Sequence, residues 1–162
     1  MIYLGMNTLY VSLGIIVIVV IGFLVLFQIE RKRTSKFKDN AINELKKYGK
    51  IEKIDQKLIF THQDQTVEIL FFVLKNNEEL IINSRVMWEV FQFNKAMLID
   101  QTEFLKSDYI KWIIIFPGVH RIKRFINENE LVFVQKEDFF YDYKIILNIE
   151  LKDFLEDLVH GV

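Results

Sequence analysis

Cysteine is absent from this 162-residue chain, proline occurs once and glycine six times. Without thiols there can be no disulfide, no thiolate zinc centre and no cysteine nucleophile. So few glycines leave no glycine-rich phosphate cradle, and no GxSxG elbow is present. Histidine is scarce as well: His62, His120 and His160 are too widely spaced for a histidine metal site. His62, in a polar turn, and His160, near the end of the chain, are expected to be exposed. A net charge of −1 provides no general attraction for nucleic acid. What remains is 51% hydrophobic and 14% aromatic, a composition that calls for a packed core rather than a disordered tail.

A further absence is local. From Met1 to Gln28 there is no charged side chain, and Leu9 to Phe27 is almost unbroken apolar sequence. About 20 such residues in a helix span a hydrocarbon core of about 30 Å. A backbone in lipid must bond within its own segment, so a helix is expected despite the β-branched residues. A secretory signal would carry positive charge before the run and a small-residue cleavage motif after it, and neither is found. Arg31, Lys32, Arg33, Lys36 and Lys38 follow the run instead. The positive-inside rule then places the N-terminus outside and the rest of the chain in the cytoplasm.

The expected layout is a short extracytoplasmic N-terminus (1–8), a transmembrane helix (9–28), a juxtamembrane basic segment and helix (29–49), and a cytoplasmic domain (50–162). The five juxtamembrane cations also suit anionic headgroups, at roughly 1 kcal/mol each. Gly14 and Gly22 lack GxxxG spacing, and no Asp, Glu, Lys, Arg or His lies within the span, so an anchor is expected rather than an ion pathway.

From Ser35 onward 18 basic residues face 21 acidic ones, a net of −3. Phe37, Ala41, Leu45 and Tyr48 share one helical face, and Gly49 is placed to stop that helix. Residues 50–84 contain three apolar runs broken at Gln63–Gln65 and Asn76–Asn77, the pattern of an antiparallel meander. Val86, Trp88 and Val90 alternate as in a further strand, and 102–109 suggest a short helix. Lys111 to Phe116 resembles a strand covered on both faces. After Pro117-Gly118, Val119, Ile122, Phe125 and Ile126 recur at helical spacing, and Leu131 to Val134 reads as a strand. A right-handed parallel crossover between the two strands is expected. DFFYDYKIILNI suggests one more strand, and 150–160 an amphipathic helix with Leu151, Phe154, Leu155 and Leu158 inward and Asn148 near its cap. The fold class is α+β with a mixed sheet, an αβββ-αβ arrangement after the transmembrane helix.

This order, with the FP-x4-I-x3-IN-E-NE-L stretch at Phe116 to Leu131, resembles the restriction-endonuclease-like (PD-(D/E)XK) superfamily, especially small membrane-anchored Firmicutes proteins with a comparable domain. The resemblance covers most of Ser35 to Val162. It implies an acid on the second core strand and an acid-x-Lys on the third, which together hold a divalent metal and orient water. Glu68 suits the first position, but the next strand has Ile81, Ile82 and Asn83 where acid and lysine are needed. Asp55-Gln56-Lys57 falls at a hairpin turn, and Glu150-Leu151-Lys152 on a helix, where that spacing does not converge.

The basic residues His120, Arg121, Lys123 and Arg124 are read as the solvated face of a short helix, with phosphate or nucleic-acid contact by Arg121, Lys123 and Arg124 as the alternative. Glu128 and Glu130 lack a third ligand. Phe139, Phe140, Tyr141 and Tyr143 are divided between core and a partner surface. No catalytic residue, metal or cofactor is assigned. The expected function is a single-pass bacterial membrane protein whose cytoplasmic domain is a non-catalytic binding or scaffolding module, its partners the lipid bilayer and a protein. A nuclease-like, degenerate nucleic-acid binder and an anionic-lipid sensor are the alternatives.

Overall fold

The structure, a computed structural model, describes residues 2–75, 77–116, 121–127, 129–135 and 138–160, with side chains from Val11 onward except those of Ser12 and His160. The chain divides into two units, Met1–Phe37 and Lys38–Val162. The first is carried by helix α1 (Ile2–Tyr48). Its large apolar side chains from Val11 to Ile29 are all exposed, whereas the core helix of a soluble protein would be covered. This helix is long and apolar enough to cross a membrane.

The second unit begins with the last turns of α1. Next come strands β1 (Lys50–Ile54), β2 (Lys57–His62), β3 (Gln65–Val73), β4 (Glu79–Ile82), β5 (Met87–Gln92) and β6 (Lys95–Asp100), then the one-turn helix α2 (Thr102–Leu105). Strands β7 (Ile110–Phe116), β8 (Ile122–Asn127), β9 (Glu130–Phe133), β10 (Phe139–Phe140) and β11 (Tyr143–Leu147) follow, and a 3-10 turn (Asn148–Glu150) leads into helix α3 (Leu151–His160). They form a six-stranded sheet in the order β1-β2-β3-β7-β11-β10 and a five-stranded sheet in the order β6-β5-β4-β8-β9. Both are mixed: β3, β7 and β11 run parallel in the first, and β4 and β8 in the second. The unit is therefore α+β.

Strand alternation explains the layering. Leu70, Ile113 and Ile145 are cross-strand neighbours on one face of the larger sheet, as are Phe72, Ile115 and Leu147. They pack against Leu80, Ile82, Trp88, Val90 and Ile122 of the smaller sheet in one apolar core. Trp88 is its centre, with ring centroids 5.7 Å from Phe72 and 5.6 Å from Tyr143. The opposite face carries Phe60, Ile69, Trp112, Ile114 and Ile146, and is met by α3 through the edge-on contact of Trp112 with Phe154 at 4.9 Å. Leu151 and Leu155 of α3 and Ala41 and Leu45 of α1 are buried as well.

Three hairpins close through two-residue turns with positive φ at both positions: Asp55 and Gln56, Phe93 and Asn94, Tyr141 and Asp142. That geometry matches the twist of the paired strands, and Asp and Asn tolerate it better than Phe or Tyr. Gly49 is required for a different reason than helix termination by a left-handed residue. A Cβ there would collide with the Thr61 carbonyl and come within 2.6 Å of the Phe60 ring.

Several sequence expectations give way. The helix expected through Ile122, Phe125 and Ile126 is strand β8, which pairs in parallel with β4 and antiparallel with β9. Tertiary pairing overrides the 3.6-residue spacing, and β7 has β3 and β11, not the Leu131–Val134 strand, as its parallel neighbours. Residues 50–84 hold four strands, and the fourth joins the second sheet. Strand β6 was not expected. Asn148 opens the 3-10 turn that leads into α3, and its carbonyl accepts the Leu151 N–H. His62 is half-buried, its Nδ1 2.5 Å from the Tyr48 carbonyl at the end of α1. Asn76, Pro117, Gly118, Val119, His120 and Glu128 lie outside the described residues.

Tyr143 is fully buried, and neither its hydroxyl nor the nearby Trp88 Nε1 meets hydrogen-bond geometry with any described group. Burial pushes the phenol far above its ordinary range, and the indole N–H offsets this only in part. Below about pH 10 the phenol is protonated folded and unfolded alike; above it only the unfolded chain ionises, so stability falls as pH rises. Tyr143→Phe should blunt that alkaline loss and at pH 7 gain about 1 kcal/mol, since an unpartnered buried hydroxyl costs about 1–3 kcal/mol. Urea unfolding at pH 7 and pH 10.5 measures both, and a loss above 1 kcal/mol at pH 7 would reveal a partner for the hydroxyl.

Candidate functional site

Strand β7 is apolar except for Lys111, and the buried stretch of β3 is apolar except for Glu68. The parallel register sets the two side by side on the face turned toward the smaller sheet, with Tyr143 of β11 on the other side of Lys111. Lys111 and Glu68 are the buried charges among the described residues, with side chains 1% and 4% exposed. They meet at 2.7 Å. Lys111 Nζ also donates to the Ser107 carbonyl at 3.0 Å and contacts the Ser107 hydroxyl, which in turn donates to Glu68. An ammonium has three N–H donors, and all three are engaged. The Phe104 ring centroid lies 5.3 Å from Nζ and that of Tyr109 6.0 Å, adding cation–π contact.

Lys111 and Ser107 form part of the wall of a cavity of about 520 Å³ at one end of the sandwich, a size ordinary for small-molecule sites. The α2–β7 loop supplies Lys106, Ser107, Asp108 and Tyr109; the β4–β5 loop supplies Arg85 and Val86; the β10–β11 turn supplies Asp142. Backbone bonds hold these pieces. The Lys111 N–H donates to the Asp142 carbonyl at 3.0 Å, and the Gln101 N–H to the Val86 carbonyl at 2.8 Å. The Met87 N–H donates to the Ser84 hydroxyl at 3.1 Å, which shapes the Arg85 loop. Arg85 reaches across from the smaller sheet to Asp142 of the larger one through one Nη2–Oδ2 contact at 3.3 Å.

The arrangement braces one ion pair and leaves another open. Lys111 has no free donor to offer a substrate, and the Ser107 hydroxyl proton is held by Glu68, so the cluster is set for structural support rather than nucleophilic attack. Among the described residues no three of His, Cys, Asp and Glu gather as a metal-holding group.

The basic residues singled out from sequence are not brought together. Lys123 donates to Glu79 at 2.9 Å and Arg121 lies 3.6 Å from it, both on the outward side of the smaller sheet. The Lys123 hydrogen bond holds the Glu79 carboxyl below its usual range, with Arg121 a lesser cause. Arg124 points the other way, over Phe140 at 4.7 Å, with Nε 3.9 Å from Asp138. Two-residue alternation in a strand separates what a helix would have gathered. Arg31, Lys32, Arg33 and Lys36 belong to the first unit, and Lys38 opens the second. Glu68 was noticed in the sequence; Lys111, Ser107, Arg85 and Asp142 were not. A visible signal existed, because a lone lysine and a lone glutamate in two strands too apolar to face water require each other.

No protein-family model matches the chain, and no curated protein or solved structure does either.

Lys111→Ala should cost about 3–5 kcal/mol by leaving Glu68 buried and unpaired, a large part of the about 5–15 kcal/mol typical of a domain. Glu68→Leu combined with Lys111→Met should recover most of that loss. Denaturant unfolding of the full chain in detergent tests the pair, and a double variant as unstable as Lys111→Ala would show that the charges are not each other's main partners.

Proposed function

We propose that the chain is a single-pass membrane protein of a bacterium, with its N-terminus outside and its sandwich unit in the cytoplasm. The sandwich acts as a non-catalytic binding module that takes a small polar ligand at the end where Arg85 and Asp142 bridge the sheets. The cavity carries this reading: of the charges in its wall Arg85 pairs with Asp142 and Lys111 with the buried Glu68, which also holds the Ser107 hydroxyl proton. The uncovered apolar side chains of α1, followed by Arg31, Lys32, Arg33, Lys36 and Lys38, support the anchor and its orientation.

A second reading keeps the restriction-endonuclease-like resemblance, as a degenerate nucleic-acid binder acting through Arg121, Lys123 and Arg124. In its favour Glu68 of β3 stands directly beside Lys111 of β7, an acid and a lysine on adjacent strands. Against it, Arg121 and Lys123 are engaged by Glu79, and Arg124 points inward.

Because the chain has no cysteine, single cysteines report topology cleanly. In intact cells an impermeant maleimide should label Asn7→Cys, and Glu52→Cys only after permeabilisation; the reverse pattern would overturn the orientation. In a thermal-shift screen of small polar metabolites on the full chain, at least one compound should raise the melting temperature. Lys106→Trp, which fills the cavity mouth, should abolish the rise. If no compound stabilises the wild type, and short DNA or RNA is retarded in a salt-sensitive way lost in Arg121→Ala, the second reading replaces the first.

A further inference from the structure

Resting on the reading of this cavity as a ligand site, we propose that its ligand is an α-amino acid with an apolar side chain, bound by exchange of the Arg85–Asp142 ion pair. The ligand carboxylate takes the Arg85 guanidinium, and the ligand ammonium takes the Asp142 carboxylate.

Besides Asp108 and Lys106, the latter paired with Glu103, the charges lining the cavity are of two kinds. Lys111 is buried and fully engaged, so it cannot turn to a ligand. Arg85 and Asp142 are 48% and 72% exposed, touch through one nitrogen and one oxygen at 3.3 Å, and make no other side-chain hydrogen bond among the described residues. An exposed pair of that kind is worth about 0–1 kcal/mol, so opening it costs little. A guanidinium has five donors in a planar fork that suits a carboxylate through two parallel bonds, and the pair in place uses one of them.

Opening the pair leaves two charges, and a simple anion would satisfy only one. It would occupy Arg85 while leaving Asp142 beside it, with Asp108 also in the wall. A dianion such as phosphate could also draw on Lys106, but it meets both carboxylates and leaves Asp142 without a cation. A ligand carrying both signs satisfies both partners. Because Arg85 and Asp142 are already in contact, its charges must be only a few ångströms apart, which is the spacing in an α-amino acid. Val86, the buried Leu105 and the Tyr109 ring are the apolar part of a wall completed by Thr102, Lys106, Ser107 and Asp108, and they give an apolar side chain a place to pack. The two partners come from different sheets, each held by backbone bonds, so the gap between them is preset.

Isothermal titration of the full chain in detergent with L-leucine tests the exchange. L-leucine should bind, while leucinamide, which lacks the carboxylate, and 4-methylpentanoate, which lacks the amine, should bind at least ten-fold more weakly. Arg85→Gln and Asp142→Asn should each weaken L-leucine at least ten-fold with the melting temperature nearly unchanged, since both side chains are at the surface. Inorganic phosphate should give no heat. The proposal is overturned if L-leucine, L-valine and L-phenylalanine all fail to bind at millimolar concentration, or if 4-methylpentanoate binds as well as L-leucine. A different metabolite that binds, and is blocked by Lys106→Trp, would keep the cavity as a ligand site while removing the amino acid; no ligand of any class would remove both.

Discussion

Strand β7 is the constraint on which the second unit depends. It lies in the middle of the larger sheet between two parallel neighbours, and Lys111 through Ile115 are buried in succession. Ile113 and Ile115 belong to the inter-sheet core with Trp88, while Trp112 and Ile114 face the helical side. A strand covered on both faces can bury its backbone only if both neighbours complete its ladder. The chain therefore leaves the larger sheet after β3, builds β4 to β6 of the smaller one, and returns as β7. It leaves again through β8 and β9 and returns as the β10–β11 hairpin. The smaller sheet is made of those two excursions, joined by the parallel pairing of β4 with β8.

The same burial explains the charged cluster. A lysine at the start of so apolar a strand cannot be solvated, and an isolated buried ammonium is too costly to persist. Glu68 lies at the register position beside it, and the loop after α2 folds back to offer Ser107. The cluster thus ties a loop to the sheet as well as neutralising a charge. Those loop residues make up much of the cavity wall, so the shape of the site follows from satisfying Lys111.

How far the sequence revealed this depends on which residues had water on one side. The apolar helix, the short helix at 102–105, the doubly covered strand and the amphipathic C-terminal helix were legible because hydrophobic period and length pointed the same way. Strand β6 was not, since Ala96, Met97 and Leu98 are exposed whichever way they point and leave no alternation to detect. β8 was misread because Ile122, Phe125 and Ile126 fit a helix, and only pairing with β4 and β9 settles them as strand. Clusters along the chain do not reveal the site, because Glu68, Lys111 and Asp142 are 43 and 31 residues apart and meet only through sheet register.

Two ion pairs of the same formal chemistry thus play opposite roles, and burial decides which. Lys111 and Glu68 are almost wholly buried, so separating them leaves a charge without its partner between the sheets and the pair stays closed. Around Arg85 and Asp142 water is already present, the gain from contact is small, and either charge can change partner without a penalty. A site that only held the first kind would be rigid and inert; one that held only the second would have no fixed shape. The end of this sandwich has both, within one cavity, with the closed pair setting the wall against which the open pair can exchange.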